Sequence, residues 1–509
     1  MSEPTRQEAE RGLEALVPEI DLLGKIPIGY ARKHLLLPCR DAGGSLLLLS
    51  AKPDAAEAID EIRFLAGPLR VLAAPEDAIL KKIDSAYEKI HAPEREIVEG
   101  LGGEWNLDVE AAIEETRDLL ETPDEAPVIK FVHSLLFRAI KERSSDIHVE
   151  PYEKELVVRN RVDGILYPTV TAPRKWHAPI VSRIKVMAGL DIAERRLPQD
   201  GRIKIRLGGN EIDIRVSIVP TAFGERAVLR LLDRSSLGLG LSDIGMSPDD
   251  LSLFERFLSR SNGILLVTGP TGSGKTTTLY GALRRLDSGT KNIITIEDPV
   301  EYQIQGIGQI QVNPKIHLDF ANGLRSILRQ DPDIIMVGEI RDVETAEIAI
   351  QASLTGHLVL STLHTNDSAS AVTRLVDMGI EPFLVASSLS MVMAQRLVRK
   401  LCPACRVPYS PTAAQWANLG LSAAPSGPFY AAKGCASCMN TGYKGRVGLF
   451  EILSADDRVR ALILTRSDAD GIKSFAVSRG MRTILVAGAE KVCAGITSAE
   501  EVLRVTQED

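Results

Sequence analysis

The stretch that most constrains this chain is GPTGSGKT, which runs Gly269, Pro270, Thr271, Gly272, Ser273, Gly274, Lys275 and Thr276. It fits the phosphate-binding pattern GxxxxGK[ST], and its flanks supply the context such a loop needs. The apolar run GILLVT before it reads as a buried strand, and residues 277–286, opening on Thr277, have helical spacing. The residue types follow from the chemistry. Glycines let backbone N–H groups close around phosphate oxygens at a helix N-terminus, where the helix dipole also favours an anion. Lys275 is then placed for the β- and γ-phosphates of a nucleotide, and the Thr276 hydroxyl for Mg²⁺.

Downstream, apolar runs alternate with helical stretches, the pattern of a parallel sheet. The run 292–296 ends in Glu297 and Asp298, 333–337 ends in Gly338 and Glu339, and 358–362 is followed by His364. Ligands of open α/β sheets bind just past the carboxyl ends of the strands, so these segments and the glycine loop are expected to meet at one nucleotide. Glu339 is the candidate for polarising the attacking water, and Glu297 for positioning water or the metal's hydration shell. His364 is placed to sense the γ-phosphate. Taken singly, each carboxylate reads equally as a helix cap or solvated loop residue, and His364 as a satisfied core histidine. Their common place in the sheet favours function. Many P-loop ATPases end the second of these strands in Asp before the catalytic Glu. Here that position is Gly338, so magnesium is expected to rest on Thr276 and water-mediated contacts.

At 509 residues the chain should divide into about three domains. Residues 1–92 read as an α/β docking domain without catalytic chemistry: a helix over 26–34, strands at 35–38, 46–50 and 71–74, and helices at 55–65 and 80–91. Residues 93–124 read as linker with a helix at 109–120. Residues 125–235 read as an α+β domain, opening on an amphipathic helix at 127–141 and continuing in period-2 strands at 156–162, 202–206, 211–219 and 227–232. Residues 236–509 form the nucleotide-binding domain. The net charge of −8 and the absence of a basic tract interleaved with aromatics argue against nucleic acid as a partner. The N-terminus is polar, and no apolar run approaches the ~18 residues of a membrane span. The protein is therefore expected to be cytoplasmic, with any membrane role mediated by a partner.

Of six cysteines, Cys402 with Cys405 and Cys435 with Cys438 form two CxxC knuckles. Four thiolates suit a closed, tetrahedral, structural Zn²⁺ site, with a dithiol switch as the weaker alternative. Cys39 and Cys493 lack such partners and are expected to be buried thiols. Residues 395–450 contain Lys and Arg but no Asp or Glu. A subunit interface or solvated face explains this, and attraction to anionic lipid is the sharper alternative.

Together, GPTGSGKTTTLY, TIEDPVEY, LRQDPDIIMVGEIRD and GHLVLSTLHTND resemble the secretion and pilus traffic ATPases, in particular the type II secretion E-protein family. The resemblance runs from about residue 125 to the end of the chain. It implies an α/β multidomain protein with a RecA-like P-loop ATPase domain, a preceding α+β (PAS-like) domain and a zinc module inserted at 396–446. It makes Gly338 part of the family pattern. It implies ATP as substrate and a homo-hexamer whose subunits supply arginines to a neighbour's nucleotide. The matching positions are Arg215 in DIRVS, Arg230 in AVLRLL, Arg325 and Arg329 in LRSILRQ, and Arg446 in GYKGRVG. It further implies a motor that drives pseudopilus assembly and protein export at the inner membrane. The N-terminal domain would dock there on a bitopic anchor, the L component, beside an inner-membrane platform protein. The segment LGKIPIGYARKHLLL resembles the secretion proteins at this point. The nearest alternative is the type IV pilus assembly ATPase, which shares motor, arginines and cysteines. A retraction ATPase is disfavoured because such proteins usually lack the four cysteines. A DNA-handling ATPase is opposed by the charge balance, and a non-hydrolysing scaffold by the intact Lys275 and Glu339.

Overall fold

Short, continuous apolar runs produce the first sheet. Leu46–Ser50 pairs antiparallel with Leu36–Arg40 and parallel with Arg70–Ala73, and Val17–Pro18 borders Leu36–Arg40. Helices Ile28–His34, Ala56–Ala66 and Glu76–Ile90 accompany it, and Leu37, Leu48, Ile62 and Ile83 meet in one core. The last helix starts earlier than its apolar spacing predicts, because Glu76 and Asp77 suit the positive end of a helix. The computed structural model describes residues 16–23, 26, 28–41, 45–52, 56–67, 69–90, 127–207, 210–232, 240–286, 288–421 and 427–506. The helix expected at 109–120 lies outside them. The chain divides into two units, Met1–Arg234 and Ser235–Asp509.

The second sheet of the first unit has six antiparallel strands among the described residues. Their order is Ile165–Pro173, Glu155–Val162, Asp146–Pro151, Gly224–Leu232, Asn210–Thr221, Gln199–Leu207. One face carries Ile147, Val158, Ile203, Ile214, Val216 and Leu229 and packs with helices Pro127–Lys141 and His177–Met187. Strand Ile165–Pro173 and helix His177–Met187 escape the sequence reading for physical reasons. The strand is a half-buried edge carrying Pro168, and its ladder shifts register opposite Val158/Arg159. The helix places Lys185 in its apolar stripe, 1% exposed, where Nζ lies 2.6 Å from Glu225 Oε1. A charge there breaks the pattern from which a buried helix is read.

In the second unit six parallel strands run in the order Gly308–Gln311, Ile293–Glu297, Ile334–Val337, Leu358–Leu363, Gly263–Thr268, Leu389–Leu401, with Tyr443–Ser454 antiparallel at the edge. Strands Gly263–Thr268 and Leu358–Leu363 are buried throughout, as expected of a parallel sheet covered on both faces. The glycine-loop strand is interior. The last two strands pair along most of their length down to Leu401 opposite Tyr443, and the cysteines lie in the excursion between them. The sequence reading assigns no elements beyond Phe450. There, among the described residues, helices Asp457–Leu464, Ala469–Ser478, Ile484–Cys493 and Ala499–Thr506 pack against the sheet and one another. Cys39 is buried as expected, but Cys493 is exposed. It falls on the outer side of its helix, whose inner side is set by Ala489 and Val492.

Candidate active site

The glycine loop turns from its strand into helix Lys275–Arg285. Gly269 has φ 144°, and a Cβ there would lie 2.4 Å from the Gln395 carbonyl, so no larger residue fits. Gly274 caps the helix at φ 90°. Pro270, Thr271, Gly272, Thr276 and Thr277 are exposed, whereas the Ser273 hydroxyl is buried and has no hydrogen-bond partner. Lys275 folds back over the loop and donates to the carbonyls of Gly269 at 2.7 Å and Pro270 at 3.1 Å. Burial above all, with Arg396 adding to it, pulls the Lys275 ammonium down to about 8 against the opposing pull of Glu339. An under-satisfied hydroxyl and a cation held by neutral carbonyls make a cradle suited to phosphate oxygens.

Glu339 stands just past the end of strand Ile334–Val337. It accepts from Arg341 and lies 3.2 Å from His364 Nε2. Burial pushes its carboxyl up, but Arg341 and His364 outweigh that and hold it below the usual carboxylate range. Gly338 has a packing reason. A Cβ there would crowd the Ile296 carbonyl, the Glu297 backbone and Phe320 at 3.3–3.4 Å. The Thr362 hydroxyl donates to the Gly338 carbonyl at 2.8 Å, and Thr365 N–H donates to the Thr268 hydroxyl at 2.9 Å. These bonds fix the segment bearing His364 to its two neighbouring strands.

Glu297 is placed differently from expectation. It is the last residue of its strand and 3% exposed, and it accepts from Tyr280, from Thr295 at 2.5 Å and from Gln309 at 3.1 Å. Thr295 and Glu297 are two apart and so share one strand face. The structure therefore brings Lys275, Glu339 and His364 together and seats Glu297 apart from them, in packed surroundings with Tyr280, Thr295 and Gln309. The sequence reading misses Arg341, which also faces Asp298, and the pair Gln395 and Arg396. Gln395 accepts from Thr278 at 2.7 Å behind the loop. The available signal was the polar pair inside the otherwise apolar run MVMAQRLV.

Arg325 lies 2.5 Å from Glu344, and Arg329 donates to the Arg325 carbonyl at 2.9 Å. Arg446 lies opposite Arg399 in the edge ladder. In the other unit Arg215 faces Arg230 across adjacent strands, and Arg230 donates to Asp146 at 3.0 Å.

The four cysteine sulfurs all lie within 4.8 Å of one another, with separations of 3.9, 3.8 and 3.7 Å among them. Four thiolates at ~2.3 Å from a tetrahedral Zn²⁺ stand about 3.8 Å apart, so the set fits that ion. Cys438 Sγ accepts from the N–H groups of Cys435 and Gly442, both at 3.2 Å. Burial pushes this thiol up, but those donors prevail and bring it to about 7. The basic stretch is not one solvated face. Arg396 is buried and Arg399 pairs with Glu501 at 2.8 Å, while Lys400, Lys433, Lys444 and Arg446 are exposed.

An interior strand, a glycine loop, a lysine at the following helix and a carboxylate two strands away define a P-loop ATPase. Residues 121–504 match the family described as Type II/IV secretion system protein, and residues 11–93 match the MshEN domain. The chain belongs to the Type II/IV secretion system protein family. It is 50% identical to type II secretion system protein E of Pseudomonas aeruginosa, over 95% of this chain and 97% of that protein. It is 46% identical to the type IV pilus assembly ATPase PilB of Myxococcus xanthus, over 96% of this chain and 88% of that protein. The ATPase DotB of Legionella pneumophila shares the fold with a TM-score of 0.54 at 22% identity, over 74% of this chain and 96% of that one. No helix among the described residues is long and apolar enough to cross a membrane.

Proposed function

We propose that this protein is the ATP-hydrolysing motor of a type II secretion system, driving pseudopilus assembly and protein export from the cytoplasmic side of the inner membrane. The observation that carries the reading is the cradle formed by Lys275 and Ser273 beside a carboxylate held charged by Arg341 and His364. The loop N–H groups and Lys275 bind the β- and γ-phosphates, Lys275 exchanging its two carbonyl partners for them. Glu339 orients the attacking water and accepts its proton. His364 and Arg341 aim the Glu339 carboxylate. Buried Glu297 anchors the loop bearing Asp298, which faces Arg341. Thr276 would hold Mg²⁺, which neutralises charge developing on the transferred phosphoryl group. The four cysteines would hold Zn²⁺ as a structural ion with no open position for chemistry.

Lys275 gives the reading a pH signature. The nucleotide prefers the charged amine, and burial, first, leaves the free enzyme's amine half-charged near pH 8. Affinity for a non-hydrolysable ATP analogue is therefore expected to be flat from about pH 6.5 to 7.5 and to weaken as pH rises through about 8. Equilibrium titration across that range checks it, and affinity unchanged to pH 9 would refute the lysine's part.

The motor is a homo-hexamer in which Arg215, Arg230, Arg325, Arg329 and Arg446 serve nucleotide bound at subunit boundaries, since a guanidinium matches phosphate oxygens in a planar, permanently charged fork. Mixing two inactive variants, Arg215→Ala and Lys275→Ala, is expected to restore part of the hydrolysis, because mixed boundaries pair an intact arginine with an intact loop. No recovery at any ratio would mean that Arg215 does not act between subunits.

The N-terminal domain docks on the bitopic inner-membrane anchor, and the platform protein lies within reach. Full-length protein used as bait against solubilised membranes is expected to retain that anchor. Retention of pilus inner-membrane components instead would assign the chain to pilus assembly and leave its catalytic residues unchanged. The type II reading is preferred because the secretion protein E of Pseudomonas aeruginosa matches over more of its own length than PilB does. Exposed Lys433 and Lys444 make anionic lipid a further contact of the cysteine module.

A further inference from the structure

The helix that begins at Lys275 carries Tyr280, which is 0% exposed. Its hydroxyl donates to Glu297 Oε2 and accepts from the Glu301 N–H at 3.2 Å. One phenol thus holds the segment 297–301 at both ends, by side chain and by main chain. The second oxygen of Glu297 takes Thr295 at 2.5 Å and Gln309 at 3.1 Å, and Gln309 reaches on to the Tyr302 carbonyl at 3.1 Å. The Tyr302 ring stands edge-on to Tyr280 with centroids 4.5 Å apart.

Packing alone does not call for this hydroxyl. A phenylalanine would fill the same volume in the core that also holds Leu279, Leu283 and Ile293. A buried hydroxyl and a buried carboxylate each cost free energy unless they meet a partner, so a pair of them placed here has a geometric task. The task follows from what each end is attached to. The helix begins where the phosphate-binding loop ends, and the carboxylate end leads into Asp298, which faces the Arg341 that holds Glu339.

We propose that Tyr280 is a positioning residue for ATP hydrolysis: its hydroxyl fixes the 297–301 segment against the helix that carries Lys275, and so sets the placement of Asp298, Arg341 and Glu339 relative to the bound phosphates. The inference rests on the ATPase reading above. It deepens that reading by adding a residue that touches neither nucleotide nor water.

The test is Tyr280→Phe in the full-length protein. Positioning predicts kcat lowered about tenfold, with KM for ATP and affinity for a fluorescent ATP analogue within about twofold of the parent and the melting transition kept. Residues acting as a unit also lose activity only once, so Tyr280→Phe combined with Glu297→Gln is expected to be no slower than Glu297→Gln alone. Parental kcat in Tyr280→Phe, or losses that multiply in the double variant, would overturn the proposal. Should Tyr280→Phe fold poorly, Gln309→Leu removes a donor from the opposite side, with the same split between kcat and KM expected and parental kcat again contradicting it. Lys275→Ala separates the two levels. An inactive Lys275→Ala beside a fully active Tyr280→Phe sinks the role of Tyr280 alone, whereas a fully active Lys275→Ala sinks the glycine loop as the site of the measured hydrolysis, the reading on which the proposal rests.

Discussion

Glu339→Gln is expected to lower kcat for ATP hydrolysis by roughly 10²–10⁴-fold while leaving nucleotide affinity near the parent's. The substitution keeps the shape and one hydrogen-bonding oxygen but removes the charge that accepts the proton of the attacking water. The environment explains why the charge is dependable at neutral pH. Burial works against it, and Arg341 with His364 at 3.2 Å more than compensates. Affinity survives because phosphate binding belongs to Lys275 and the loop N–H groups. Steady-state hydrolysis beside equilibrium binding of a fluorescent ATP analogue checks both halves. A variant retaining more than about a tenth of the parental kcat would remove Glu339 from the proton-accepting role.

Loss of the metal is expected to have the second large effect. The cysteine excursion has little structure of its own: strands Val407–Tyr409 and Phe429–Ala431 form a two-stranded ladder, Tyr409 meets Phe429 edge-on, and the buried Leu419 and Phe429 join a core shared with the last two sheet strands and the C-terminal helices. An isolated hairpin of that size is marginal in water. Structural Zn²⁺ bound by four thiolates contributes on the order of 10 kcal/mol to folding in small domains. Cys438→Ser, or a strong chelator with reductant, is therefore expected to unfold the excursion and open residues 402–442 to protease. The purified parent should carry one Zn²⁺ per chain by elemental analysis. A metal-free parent whose excursion resists protease would refute the assignment.

The glycine loop and the strands of the parallel sheet are legible because both rest on local pattern: continuous apolar runs where both faces are covered, and glycines where backbone must approach backbone. Glu339 and His364 are legible by the same route, since a polar residue just past a buried strand is conspicuous. Glu297 shows the limit. Its place at the strand end could be read, but its burial under Tyr280 and Gln309 depends on contacts 17 and 12 residues away. Arg396 shows the same limit from the other side, as a charge inside an apolar run that reads as surface until the strand is placed between the glycine-loop strand and the edge strand. Helix His177–Met187 was hidden by Lys185, whose partner Glu225 lies on a distant strand. Charges buried in pairs erase the periodicity that reports burial of either.

The strand Leu389–Leu401 has one further implication. Its thirteen residues span about 43 Å, and one element carries Gln395, behind the glycine loop, and runs to the threshold of Cys402. Gln395 is locked to Thr278 in the helix after the loop, and the outer end is locked to the C-terminal helix through Arg399 and Glu501. Between these two clamps the ladder with the edge strand keeps one register from Met391 to Arg399 and shifts only between Arg399 and Leu401. A displacement of the cysteine module is therefore expected to reach the floor of the nucleotide cradle along this strand, and filling or emptying the cradle to be felt at the module.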